Sequence, residues 1–175
     1  MKLTDRFFRP YAEYCLRTLF SEDELKAVLA KELPSYNNFL ALFKTGWGIN
    51  KVTFFRKHAP LNLSPRMGGR NSLRGEITVR CEKSEYSHET ILHITIAPDK
   101  KNKWLIPIIS GHLAVLVIFA LYFRVWQMLL GLLAMPLCLF MVLASCRAMA
   151  ETEVPKIRRE FENTLRNLER KYQEK

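Results

Sequence analysis

The chain has 175 residues and a formal net charge of +10, from 27 Lys and Arg against 17 Asp and Glu. Charge on this scale invites nucleic acid, yet no RNP-type, helix-turn-helix or zinc-finger signature accompanies the aromatic residues, so no nucleic-acid partner is expected. The four cysteines, Cys15, Cys81, Cys138 and Cys146, form no Cys-x-x-Cys pair and read as reduced thiols used as small hydrophobes.

Residues 1–25 carry Lys2, Arg6, Arg9, Glu13 and Arg17 among their apolar positions, so the continuous apolar core of a cleaved signal peptide is absent. Residues 6–20 fit a helix or a strand; a strand over 14–20 is favoured, because Pro10 argues against one helix through the segment. Ser21-Glu22-Asp23-Glu24 is a capping box, with Phe20 placed to staple onto Leu25, and predicts a helix from Glu22. Leu25, Val28 and Leu29 form its apolar face, extended by Ala30 or Leu33, and Pro34 ends it.

Period-two alternation then predicts antiparallel strands over 51–57, 75–81 and 90–97, with residues 82–89 connecting the last two. Residues 58–73 read as a loop, rich in Pro and Gly and carrying the bases Arg66 and Arg70, with Arg74 just after it. Gly68-Gly69-Arg70-Asn71-Ser72 lacks the Gly-x-x-x-x-Gly-Lys-Ser/Thr spacing of a phosphate loop and leads into a strand instead of a helix. Ser64, Ser72 and Ser84 stand in no nucleophile-elbow motif, and His58, His88, His93 and His112 share no metal-ligand spacing. No catalytic residue, metal or cofactor is therefore expected.

Two apolar runs come next, 104–123 and 126–146, separated by little more than Arg124. Twenty residues at 1.5 Å each span about the 30 Å of a bilayer's hydrocarbon core, so the runs predict a transmembrane helical hairpin. Trp104, Tyr122 and Trp126 mark its ends at headgroup level. Lys100, Lys101 and Lys103 before it and Arg147 after it, against Arg124 alone at the turn, place both termini in the cytoplasm by the positive-inside rule. A two-span protein of the inner membrane is expected. Ser110, Gly111 and Ala114 form a small-residue patch suited to helix packing, and Pro136 should kink the second helix. His112, near the start of the first, reads as an interfacial histidine.

In the tail, Val154, Ile157, Phe161, Leu165, Leu168 and Tyr172 recur at an average of 3.6 residues, the period of a straight helix and not the 3.5 of a heptad seam. This stripe should pack on a neighbouring surface, with a dimerisation helix as the alternative. The expected fold class is thus an α+β membrane protein: residues 1–103 a cytosolic sheet-plus-helix domain, 104–147 the hairpin, and 148–175 an amphipathic helix.

Phe39-Leu40-Ala41-Leu42-Phe43, Arg70-Asn71-Ser72-Leu73, Gly75-Glu76-Ile77 and Thr90-Ile91-Leu92-His93-Ile94, in this order before the hairpin, give the chain a layout that resembles a group of uncharacterised bacterial membrane proteins. In that group an aromatic, a Pro and a spacer precede the Gly, where here Leu73 and Arg74 lead directly to Gly75. The resemblance implies architecture and no activity. The function expected is a non-enzymatic interaction or regulatory module held at the inner membrane surface. Its partners would be the lipid bilayer, with anionic headgroups contacted by Arg66, Arg70 and Arg74, and an unidentified protein. The alternative is an effector or immunity-type subunit that forms homo-oligomers through the hairpin.

Overall fold

In the computed structural model, the described residues are 8–35, 52–57, 59, 61–66, 74–83, 89–99, 105–123 and 126–174. Five strands of the described residues form one antiparallel sheet: β1 (Ala12–Thr18), β2 (Thr53–Arg56), β3 (Asn62–Arg66), β4 (Gly75–Lys83) and β5 (Thr90–Pro98), in the spatial order β1-β5-β4-β3-β2. Among the described residues, three helices accompany them: α1 (Glu22–Glu32), α2 (Leu105–Tyr122) and α3 (Trp126–Gln173). Strands β2 to β5 are a simple meander. β1 closes the far edge by pairing along its whole length with β5, from Ala12 opposite Ile96 to Thr18 opposite Thr90.

The capping box forms as its residues dictate. Ser21 Oγ accepts from Glu24 N, Ser21 N donates to Glu24 Oε2 at 2.8 Å, and three acidic residues occupy the first turn, where the helix dipole favours them. Leu25, Val28 and Leu29 are buried against the sheet.

β3 lies inside the segment expected to be a loop. Pro65 disguises it, since a proline cannot donate to a ladder. β3 tolerates it because the pairing with β4 covers only Asn62 and Leu63, so Pro65 stands beyond it, opposite Phe54 of β2.

The hydrophobic core is built on one face of the sheet. Phe54, Leu63, Ile77, Val79, Leu92, Ile94 and Ile96 meet α1 and the stripe Val154, Ile157, Phe161, Leu165 and Leu168 of α3. At about 1.5–3 kcal/mol for each large side chain buried, the stripe, with its five residues against the three of α1, contributes more than α1 does. The Phe54 and Phe161 rings meet edge to face, with centroids 5.8 Å apart. Lys171 Nζ donates to Glu32 at 2.7 Å, and Tyr172 packs edge-on to Phe20, so the ends of α1 and α3 are tied together.

The transmembrane hairpin is corrected by the structure. Among the described residues no helix is long and apolar enough to cross a membrane. The first run yields 18 helical residues, about 27 Å at the α-helical rise, instead of the twenty expected. The second run does not end at Cys146: it is the opening of a helix of 48 residues that continues to Gln173 and whose second half belongs to the core. Hydropathy could not show this continuity, because Ala148, Met149, Ala150 and Glu151 after Arg147 are strong helix formers that give the chain no reason to stop. The α+β membrane fold class and the two-span inner-membrane placement both rested on those runs, and neither is supported.

Candidate functional site

Two surfaces stand out from the core. The first is the arm formed by α2 and the opening half of α3. Where they meet, Ala120 is buried, while Val115 is 65% exposed, Ile118 66%, Leu137 65% and Met141 62%. Leu116, Leu121, Phe140 and Val142 are exposed as well. At 100° per residue, positions 115, 116, 118 and 121 point in directions spread round most of α2, so the apolar exposure is not a single stripe.

Of the expected interface residues, Tyr122 is exposed and packs its ring on Phe123, with centroids 5.0 Å apart. Trp126 opens α3. Lys100, Lys101, Lys103, Trp104 and Arg124 lie outside the described residues. Ser110 and Ala114 are exposed, and a Cβ added at Gly111 would meet nothing within 4 Å, so this small-residue patch faces open space.

The arginines are placed differently from one another. Arg74 makes a two-pronged contact with Glu153 of α3, Nε to Oε2 at 2.8 Å and Nη2 to Oε1 at 3.0 Å, and is largely buried. Arg147 pairs with Glu151 at 2.8 Å and lies 5.0 Å over the Tyr11 ring. Arg66 stacks 5.3 Å over the Phe55 ring. Arg70 lies outside the described residues. Arg74 and Arg147 therefore fasten α3 to the sheet side of the molecule. Burial pushes the Tyr11 hydroxyl up to about 12 against the opposing effect of Arg147. Burial does the same to Tyr14, whose hydroxyl is buried with no hydrogen-bond partner among the described residues and whose ring carries Arg158 at 4.5 Å.

The second surface is the face of the sheet turned away from the core. Alternation along β1 directs Ala12, Tyr14 and Leu16 to the core side and Glu13, Cys15 and Arg17 outward. The β1–β5 register sets Cys15 opposite His93, and the β4–β5 register sets Arg80 opposite His93 with Glu82 one diagonal step away. Cys15 Sγ lies 3.4 Å from His93 Nδ1, and His93 Nε2 lies 2.7 Å from Glu82 Oε2. A nucleophile, a base and a carboxylate thus stand in line, and the base touches both neighbours.

Sequence reasoning missed this line. Cys15 and His93 are 78 positions apart, and only strand register joins them; outward alternation of Cys15 in β1 and His93 in β5 was the one available signal. His112 is exposed on α2, while His58 and His88 lie outside the described residues. Among the described residues, no group of His, Cys, Asp and Glu could hold a metal ion. In the line on the outer face, Sγ and the carboxylate sit on opposite sides of the imidazole, which suits a proton path and not a chelate.

The chain matches no protein-family model, no curated protein and no solved structure.

Proposed function

We propose that the protein is an interaction module that works at a lipid surface, with the α2–α3 arm taking up the apolar part of the lipid and the sheet domain presented to a protein partner. The observation that carries this reading is the exposure of large apolar side chains round the arm, from Val115 to Leu121 and from Leu137 to Val142. A single groove in a partner protein covers one stripe of a helix, whereas a lipid surface takes up all the apolar directions that face it. Support comes also from the charge of +10, since each Lys or Arg held near an anionic surface adds about 1 kcal/mol of attraction. No spanning helix is invoked.

The test is flotation of the full chain with vesicles of phosphatidylcholine alone and of phosphatidylcholine with phosphatidylglycerol. Association that is stronger with the anionic vesicles, and lost on Val115→Asp with Ile118→Asp, is the expected result. A chain that stays monomeric and fails to float with either vesicle would remove the reading. Assembly of copies through Ser110, Gly111 and Ala114 is a second reading, favoured by the open space beside Gly111. Light scattering without lipid reads it directly: Gly111→Leu should abolish any such oligomer.

A further inference from the structure

We infer that Cys15 is an exchange-competent thiol: His93 takes its proton, Glu82 holds the resulting imidazolium, and the thiolate attacks a disulfide carried by a second molecule. This goes beyond lipid association and rests on a different face of the protein.

The heavy-atom contacts favour one tautomer of the neutral imidazole. An ionised carboxylate only accepts, so the 2.7 Å contact places the imidazole proton on Nε2, donating to Glu82. Nδ1 is then left with its lone pair facing Sγ at 3.4 Å, a normal length for a thiol donating to nitrogen. Nucleophile, base and orienting group are the parts that activation of a thiol requires.

The chemistry is selected by what surrounds the sulfur. Acyl transfer develops charge on a carbonyl oxygen and needs donors converging there. The same-face neighbours of Cys15 on β1 are Glu13, an acceptor, and Arg17, which is paired with Glu89 at 3.7 Å. Exchange at sulfur keeps the charge on sulfur and needs only an open approach, which the exposed Cys15 has. Cys15 Sγ bonds to one sulfur of the incoming disulfide, the sulfur–sulfur bond breaks, and the departing thiolate takes the proton from His93 Nδ1. Cys15 is oxidised to a mixed disulfide as half of the reagent is reduced to a thiol, so nothing else is consumed.

No second cysteine is placed to resolve that bond. Cys81 follows Ile77 and Val79 on the core side of β4, and Cys138 and Cys146 are on α3. The adduct would persist on the outer face until an external thiol removes it. Among the described residues, the charged groups facing the line are Glu13 and Arg17 of β1, Arg80 and Glu82 of β4, and Glu89 before β5.

The experiment treats the full chain with oxidised glutathione and follows the mixed disulfide by peptide mass spectrometry. Cys15 should be the first site modified, and Cys15→Ser should remove that adduct. At pH 7, His93→Gln and Glu82→Gln should slow it about five- to tenfold, while near pH 10, where hydroxide ionises any thiol without help, the rates should converge. Both variants lie on the exposed face, and circular dichroism verifies their fold. An unchanged rate for His93→Gln at pH 7 would overturn the inference, as would an equal deficit at both pH values, which marks altered access instead of proton transfer.

Discussion

Thr18 Oγ1 donates to Glu169 Oε1 at 2.6 Å, joining the end of β1 to the last turns of α3 across 151 positions of sequence. The same carboxylate oxygen accepts from Leu19 N at 3.2 Å. Thr18 is among the most buried polar residues, at 2% exposure. Glu169→Ala leaves that hydroxyl without its acceptor and should destabilise the fold by about 1–3 kcal/mol. Urea titration checks it, as a lower midpoint at unchanged slope, and Glu169→Gln should restore part of the loss by keeping an acceptor oxygen.

The edge-to-face contact of Phe54 with Phe161 predicts that α3 is part of the core. Phe161→Ala should cost about 3–5 kcal/mol, as removal of a large buried aromatic from a close-packed site does. A double-mutant cycle with Phe54→Leu should return a coupling of about 0.5–1.5 kcal/mol for the ring pair itself. A cost below about 1 kcal/mol for Phe161→Ala would mean that the helix is only laid against the sheet.

Gly75 opens β4 because nothing larger fits there. A Cβ at this position would lie 2.5 Å from Ile96 Cγ2 and 3.1 Å from the Tyr11 ring. The Ile96 methyl belongs to a β-branched side chain, stiff about its first torsion, so it cannot swing aside. Gly75→Ala should destabilise by about 1–3 kcal/mol, as overpacking does. Pairing it with Ile96→Val, which keeps Cγ2, should recover little. Ile96→Ala, measured against its own cavity cost, should accommodate the new methyl, and thermal melts of the single and double variants beside wild type decide it.

Stability should also depend on pH through Glu76. Burial pushes its carboxyl above the usual 4.5, outweighing the hydrogen bond and charge of Lys57, and the nearby Asp99 adds to the rise. A carboxyl raised in the folded state binds its proton more tightly there than in the unfolded chain. Its contribution is therefore complete below 4.5 and drains away as pH climbs through the raised value. Glu76→Gln cannot ionise, and Asp99 still accepts from Lys57 at 2.8 Å. Between about pH 4 and pH 7, the midpoint of the variant should rise relative to wild type. A difference that stays constant over that range would exclude Glu76 as the source.

Much of the sheet could be read from local pattern, and the rest was hidden for identifiable reasons. Ser21 and Glu24 announced α1, and the alternation of Ile77, Val79 and Cys81 announced β4, because caps and periods are written within a few residues. The spacing from Val154 to Leu168 marked an apolar stripe, and this stripe is the one buried in the core. β3 escaped because Pro65 belongs to a partly paired strand, a tertiary fact. The expected strand over 14–20 runs two residues late, since Leu19 and Phe20 are apolar enough to pass for strand yet come after Thr18, where pairing with β5 stops. The same limit hid Cys15, His93 and Glu82, which meet only through register. The membrane hairpin failed for the opposite reason: the apolar runs were plain, but Arg147 to Glu151 carry the second helix straight past its apolar end.

Because α3 is a single helix of 48 residues, about 72 Å along its path, it acts mechanically as a lever. Its last turns are clamped between β1 and α1 by Glu169 and Lys171, and Arg147 with its Glu151 partner sits over Tyr11 where a fulcrum would be. No loop interrupts the helix from Trp126 to Gln173, so the bend expected at Pro136 lies in the apolar half and not between arm and sheet. A grip on the helix between Pro136 and the sheet therefore bears directly on the tilt of the sheet, and with it on the direction in which the outer face looks.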